Sequence, residues 1–91
     1  MHKFRLYVAD HTMNSAQATA NLQALCQTHL PNRHEIEIVD VFKEPQRAIL
    51  EGSRMTPTLL RLAPLPVRRI VGTLIDTQRV LESLGLDILA S

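Results

Sequence analysis

Apolar and polar residues alternate at the start of the chain, which is the pattern of a strand with one face in a core. Phe4, Leu6 and Val8 hold the apolar positions, and the run ends at Ala9. A second run, residues 35–41, alternates at first and then becomes mainly apolar, with Ile38, Val39 and Val41. A mainly apolar stretch is typical of a central strand that is buried on both faces. The pattern therefore predicts two strands in the first half of the chain.

Between these strands, apolar residues recur at helical spacing, which predicts an amphipathic helix from Ala16 to His29. Asn14 or Ser15 is the expected N-cap, because a short polar side chain can accept from the free N–H groups of the first turn. Pro31 ends the helix. The predicted buried face consists of Ala18, Leu22, Leu25, Cys26 and His29.

After the second strand, Pro45 suits the first turn of a short helix that reaches Leu50, and Gly52 suits its end. Residues 59–62 and 67–71 then predict a hairpin, with residues 63–66 as its loop.

A last helix is expected behind Asp76 or Thr77 as N-cap. Its predicted buried face consists of Val80, Leu81 and Leu84.

The element order is βαβ-α-ββ-α. The first crossover predicts a parallel pair of strands, and the hairpin adds two antiparallel strands. This order predicts an α/β fold with a mixed four-stranded sheet and helices on both faces, which resembles the thioredoxin-like arrangement. One domain over residues 1–91 is expected.

Composition excludes several classes of function. With two Phe, one Tyr and no Trp, the chain offers no aromatic platform for single-stranded nucleic acid, and a net charge of +1 does not predict a nucleic-acid partner. No apolar run approaches the length of a membrane span. A single cysteine excludes an internal disulfide and suits a reducing compartment, so a cytoplasmic location is expected.

Thioredoxin-like enzymes place a nucleophilic cysteine at the N-terminus of the first helix, where free N–H groups stabilise the thiolate. The corresponding loop, residues 12–15, holds no cysteine, and Cys26 lies three turns further on the apolar face. A thiol enzyme using Cys26 is therefore a disfavoured alternative. His2, His11, His29 and His34 include no i,i+4 pair, and no glycine-rich phosphate loop is present. We expect no catalytic residue, no metal site and no cofactor.

Three prolines, Pro57, Pro64 and Pro66, lie within ten residues. Prolines beside strands remove a ladder donor, so they mark specific backbone requirements, and the Thr56-Pro57 bond before a strand is a candidate for the cis form. Arg68 and Arg69 follow in the hairpin. Arginines on an edge strand either deter edge-to-edge pairing or dock on an acidic partner.

Together these residues resemble the KaiB family of small bacterial clock proteins. The resemblance spans about nine-tenths of the chain in order, and its Pro-x-Pro-Val-Arg turn is its most specific part. It rests on Leu6-Tyr7-Val8-Ala9, Thr12, Asn14-Ser15, Val39-Asp40-Val41, Lys43, Pro45-Gln46, Thr56-Pro57-Thr58-Leu59, Pro64, Pro66-Val67-Arg68, Ile70, Gly72 and Val80-Leu81.

The resemblance implies a non-enzymatic adaptor that binds the ring of a KaiC-type ATPase in a thioredoxin-like monomeric state. It also implies competition with a sensor histidine kinase and recruitment of KaiA. Arg5, Lys43 and Arg68 match basic docking positions of the family, and Arg69 is added as a partner-binding candidate from its place in the hairpin.

Members of the family are also metamorphic: a homotetramer has a different topology in its C-terminal half. The resemblance makes Pro57, Pro64 and Pro66 candidate switch positions. Ser83 and Gly85 stand where clock proteins carry a glycine and an aspartate that influence the balance, and Gly85-Leu86-Asp87 occurs two residues later than the family's Gly-Leu-Asp. Gly85 can serve as a helix C-cap, so a bias towards the monomer is expected.

Other departures concern docking. Asp10-His11 replaces the family's Gly-Asn, Met13 replaces a proline, and Gln17 and Gly52 replace basic residues. A sensor or stress-signalling module unconnected with timekeeping therefore stays open as an alternative.

Overall fold

A computed structural model describes residues 1–9 and 12–86 of the chain. Asp10, His11 and Asp87, which the sequence analysis names, lie outside the described residues. The described elements are β1 (His2–Val8), α1 (Met13–His29), β2 (His34–Asp40), α2 (Pro45–Leu50), β3 (Thr58–Ala63), β4 (Arg68–Val71) and α3 (Thr77–Ser83).

The four strands form one mixed sheet in the order β2-β1-β3-β4. β1 and β2 are parallel, with Leu6 opposite Ile38. β1 pairs with β3, and β3 with β4, in antiparallel register. This confirms the predicted thioredoxin-like order. The expectation that β2 is a central strand is wrong: β2 lies at one edge, and Ile38 is 45% exposed.

Helices cover both faces of the sheet, as the sequence predicts. On one face, alternate residues of β1 pack with α1 and α3 in an aliphatic core that includes Leu6, Leu22 and Leu81. On the other face, Tyr7, Val39, Ala48 and Leu60 form a smaller cluster beneath α2. Complete burial of one such aliphatic side chain stabilises the fold by about 1.5–3 kcal/mol, so the larger core holds most of the hydrophobic stabilisation.

The predicted N-cap of α1, Asn14 or Ser15, is wrong by two or three residues, and the helix begins at Met13 rather than Ala16. Thr12 is the N-cap, and its side-chain oxygen accepts from the N–H of Ser15 at 3.3 Å. Ser15 cannot cap because it is buried inside the first turn, where its Oγ accepts from the N–H of Ala9 at 2.9 Å. Ser15 therefore ties α1 to the end of β1.

Helices α2 and α3 are each followed, two residues after their last residue, by a glycine with positive φ. The angle is 66° at Gly52 and 73° at Gly85. After α3, Gly85 N–H donates to Glu82 O at 3.0 Å and Leu86 N–H donates to Leu81 O at 2.8 Å, which is the Schellman pattern. The predicted end of α3 near Leu84 is confirmed, with Ser83 as its last residue.

The prolines of the hairpin region have a common backbone feature. The peptide bonds before Pro57, Pro64 and Pro66 are all cis. Pro57 is buried at the start of β3, whereas Pro64 and Pro66 are exposed in the β3–β4 loop. In the part of the chain that the structure describes, no helix is both long enough and apolar enough to cross a bilayer.

Candidate docking surface

Arg5, the first predicted docking residue, points to the α2 face of the sheet and is held by two carboxylates. Its Nε donates to Glu37 Oε1 at 2.7 Å, and its Nη1 donates to Glu51 Oε1 at 2.7 Å. The hydrogen bond to Glu37, together with Glu51, raises the pKa of Arg5 further above its ordinary value. Arg5 therefore joins β1, β2 and the end of α2.

Glu37 is shared between Arg5 and a second arginine on α2. Arg47 Nη2 donates to both carboxylate oxygens of Glu37 at 3.0 Å, and its Nη1 donates to Glu44 at 3.2 Å. The hydrogen bonds from Arg5 and Arg47 lower the pKa of Glu37. These groups are partly solvated, so the network orients side chains more than it stabilises the fold.

Tyr7 links this charged network to the core. Its ring is fully buried, and its hydroxyl donates to the Glu51 carboxylate and to Arg47 O at 3.3 Å. Burial, with the Glu51 charge, raises the pKa of Tyr7 to about 12. Burial alone acts to raise the pKa of Glu51, but the hydrogen bonds from Tyr7 and Arg5 outweigh it and the pKa is lowered.

Arg69, on β4, also binds Glu51, but through the main-chain carbonyl instead of the carboxylate. Its Nη2 donates to Glu51 O at 2.6 Å, and its Nη1 donates to Gly52 O at 2.9 Å and to Ser53 Oγ at 3.3 Å. A cation suits the carbonyl end of a helix, where the partial charge is negative. Arg69 therefore closes the C-terminal end of α2.

Arg68 and Lys43 are placed differently. Arg68 is exposed on the opposite face of β4 from Arg69, directly across from Arg61 on β3. Lys43 is exposed in the turn after β2, where its N–H donates to Asp40 O at 3.1 Å. β2 and β4 are the two edges of the sheet, about 14 Å apart at the usual strand spacing. The four predicted basic residues thus do not form one patch.

On α2 and the segments before and after it, the structure shows exposed apolar side chains that the sequence patterns did not single out. Helix α2 buries only Ala48, and Leu50 is 85% exposed. Ile49 and Leu50, at the end of a six-residue helix, are the sequence signal that could have found them. We call the following exposed residues of α2 and its flanks the α2 surface: Phe42, Lys43, Ile49, Leu50 and Met55.

The position of Cys26 argues against the alternative of a thiol enzyme. Cys26 is fully buried in the larger core, and burial raises its pKa to about 11. It is therefore protonated at neutral pH and out of contact with solvent. Within residues 1–9 and 12–86, no group of three or more His, Cys, Asp or Glu side chains is placed to hold a metal ion.

Comparison with known proteins identifies relatives over nearly the whole chain. The KaiB domain family model matches residues 5–86. Circadian clock protein KaiB3 of Synechocystis sp. is 44% identical over 84 residues, covering 92% of this chain and 80% of the relative. Circadian clock oscillator protein KaiB of Synechococcus elongatus is 41% identical over 85 residues, covering 93% and 81%.

Solved structures agree with the fold. A crystal structure of chloroplastic thioredoxin z has a TM-score of 0.76 at 17% identity, covering 100% of this chain and 80% of that chain. The solution structure of the N-terminal domain of Synechococcus elongatus SasA has a TM-score of 0.64 at 20% identity, covering 92% and 83%. At such identities, the likeness establishes a thioredoxin-like fold and nothing further.

Proposed function

The chain belongs to the KaiB family, and from this we propose that it acts as a non-enzymatic clock or signalling adaptor which binds the ring of a KaiC-type ATPase. The observation that carries the proposal is the match of 41–44% identity over more than nine-tenths of the chain to relatives named as circadian clock proteins. That naming supports a role in a circadian clock.

The α2 surface is the proposed main contact. Large apolar side chains that stay exposed on a small domain mark interaction sites. Here they lie on α2 and its flanking segments, and Lys43, at a docking position of the family, precedes α2 in the chain. Apolar contacts would supply affinity, and Lys43 would select an acidic rim on the ring. Arg68, on the far edge of the sheet, is proposed as a contact for a second partner.

Arg5 and Arg69 are proposed to act indirectly, by positioning α2. Both hold the end of α2, Arg5 through the Glu51 carboxylate and Arg69 through the Glu51 carbonyl. They would fix the position of Ile49 and Leu50 relative to the sheet. A direct contact of either arginine with a partner stays a prediction.

We also propose that binding occurs in the thioredoxin-like monomeric state, and that competition with a sensor kinase or recruitment of KaiA follows from it. The Schellman turn at Gly85 supports the monomer, because the glycine lies beyond α3 and costs the helix nothing. Switching to a tetramer around Pro57, Pro64, Pro66, Ser83 and Gly85 remains a prediction.

Affinity measurements with a fluorescently labelled chain and the KaiC-type ring test the α2 surface. Lys43→Glu is expected to weaken binding at least about ten-fold, which corresponds to about 1.4 kcal/mol. Arg33→Glu makes the same change of charge in the exposed turn after α1 and is expected to stay within about two-fold. Equal weakening by both variants, or by neither, would exclude the α2 surface as the contact.

A further inference from the structure

Arg61 is a buried arginine in β3, whose other buried residues are Thr58, Leu59 and Leu60. Only 5% of it is exposed. β3 lies between β1 and β4, so Arg61 is on an internal strand of the sheet, unlike Arg68 and Arg69 on the edge strand β4. Its side chain lies on the same face as Leu59, against the core shared by α1 and α3.

The guanidinium joins two segments that are not neighbours in sequence. Its Nη1 donates to the carbonyl oxygen of Leu84, the C-cap of α3, and its Nη2 donates to Pro66 O at 2.9 Å, in the β3–β4 loop. The last carbonyls of a helix have no partner within the helix, so the first bond satisfies a group that would otherwise be orphaned. The planar fork of arginine can span both acceptors, which an ammonium cannot do in the same way.

Both of these acceptors are neutral. A carbonyl at a helix end carries a partial negative charge, which favours the cation without neutralising it. Among the described residues, Arg61 Nε has no hydrogen-bond partner, and the exposed Arg68 lies directly opposite. Burial of a cation that has only neutral acceptors costs folding free energy. The guanidinium is tolerated in the core only while both carbonyl contacts hold. Loss of one contact therefore weakens the other, so the end of α3 and the β3–β4 loop are expected to detach together.

We propose that Arg61 is a clamp between the C-terminal end of α3 and the β3–β4 loop, and that these two segments open together, independently of β1 and β2. The inference rests on the contacts of Arg61 and does not depend on any partner of the chain.

Amide hydrogen exchange measured by NMR tests the clamp. Arg61→Met keeps a long side chain and removes its hydrogen-bond donors. Arg61→Lys keeps the positive charge but replaces the planar guanidinium by one ammonium group. In Arg61→Met, exchange at Gly85, at Leu86 and at Arg68, the first β4 residue after the loop, should accelerate at least ten-fold. Amides of β1 and β2 should change by less than about three-fold. Arg61→Lys should lie between wild type and Arg61→Met.

Arg68→Met is the matched control, because it removes the neighbouring charge and leaves both carbonyl contacts in place. It should leave exchange at Gly85 and Leu86 within about three-fold of wild type. Unchanged exchange in Arg61→Met, or equal acceleration throughout the sheet, would overturn the clamp.

If Arg61→Met does not fold, the NMR signals of the Arg61 guanidinium in the wild-type chain test the clamp instead. Fixed Nη groups give separate proton resonances for Arg61 because rotation is slowed. A single averaged Nη signal would contradict the proposal.

Discussion

Arg69 Nη2 donates to the carbonyl oxygen of Glu51 at 2.6 Å, across the gap between strand β4 and the end of helix α2. Arg5 binds the carboxylate of the same glutamate at 2.7 Å. Glu51 therefore receives one arginine on its main chain and another on its side chain. Two of the four residues expected to contact a partner thus have an internal task, which is to position α2.

Substitution of Arg69 should cost more stability than substitution of its neighbour. Arg69→Ala removes three hydrogen bonds at the end of α2, and we expect a loss of about 1–2 kcal/mol in the free energy of unfolding. Arg68→Ala removes an exposed side chain and should change stability by less than about 0.5 kcal/mol. Urea unfolding of both variants measures the difference. A loss in Arg68→Ala as large as that in Arg69→Ala would contradict the assignment.

Glu51 should make the fold sensitive to acid. Its pKa is lowered in the folded state, so its stabilisation is fully present above the ordinary value of 4.5 and is lost as the pH falls through the lower folded value. Glu37 acts in the same direction. In Glu51→Gln we expect a loss of about 1–3 kcal/mol at neutral pH and a flatter decline of stability below pH 4.5.

Urea unfolding at pH values between about 3 and 7, in steps of about half a pH unit, measures how the free energy of unfolding declines with pH. Glu35→Gln is the control, because that side chain is exposed and its nearest cation, Lys3, lies 4.0 Å away. A Glu51→Gln variant that declines as steeply as wild type would rule out the Glu51 contribution.

Cys26 should be unreactive until the chain unfolds. With its pKa raised from 9.0 to about 11, the thiolate fraction at slightly alkaline pH falls about 100-fold, and burial blocks access as well. Reaction with a chromogenic disulfide reagent should therefore be slow in buffer and rapid in denaturant. Insulin reduction by the native chain, abolished in Cys26→Ala, would instead support a thiol enzyme.

The elements follow from local signals that the sequence carries openly. Alternation at Phe4, Leu6 and Val8 predicts β1, and Gly52 and Gly85 adopt the positive φ that ends α2 and α3. The edge position of β2 is different. Its apolar residues predict burial on both faces, but at the edge of the sheet Ile38 has a neighbouring strand on one side only.

The arrangement of charges could not be predicted in the same way, because it depends on contacts between distant residues. Arg69 and Glu51 are 18 positions apart and meet only once β4 lies beside α2. One signal was available for Arg61: it alternates with Leu59 on the core side of an apolar strand. An arginine at such a position indicates a buried cation that needs acceptors.

The proposed docking role of Lys43 rests on its match to a position of the family, whereas the exposure of the apolar side chains of the α2 surface comes from the structure. Ile49 and Leu50 remain exposed because the six-residue helix α2 buries only Ala48 against the sheet, and Phe42 is exposed in the turn before it. This combination of a basic residue and exposed apolar residues is what the adaptor proposal uses.

Size-exclusion chromatography with light scattering, on the chain alone and mixed with a KaiC-type ring in each nucleotide state, tests the adaptor proposal most directly. We predict that the free chain elutes as a monomer. We also predict that in at least one nucleotide state it elutes with the ring, whose mass rises by a whole number of chains. A free chain that is wholly tetrameric would contradict the monomeric state, and absence of a complex in both nucleotide states would contradict the function.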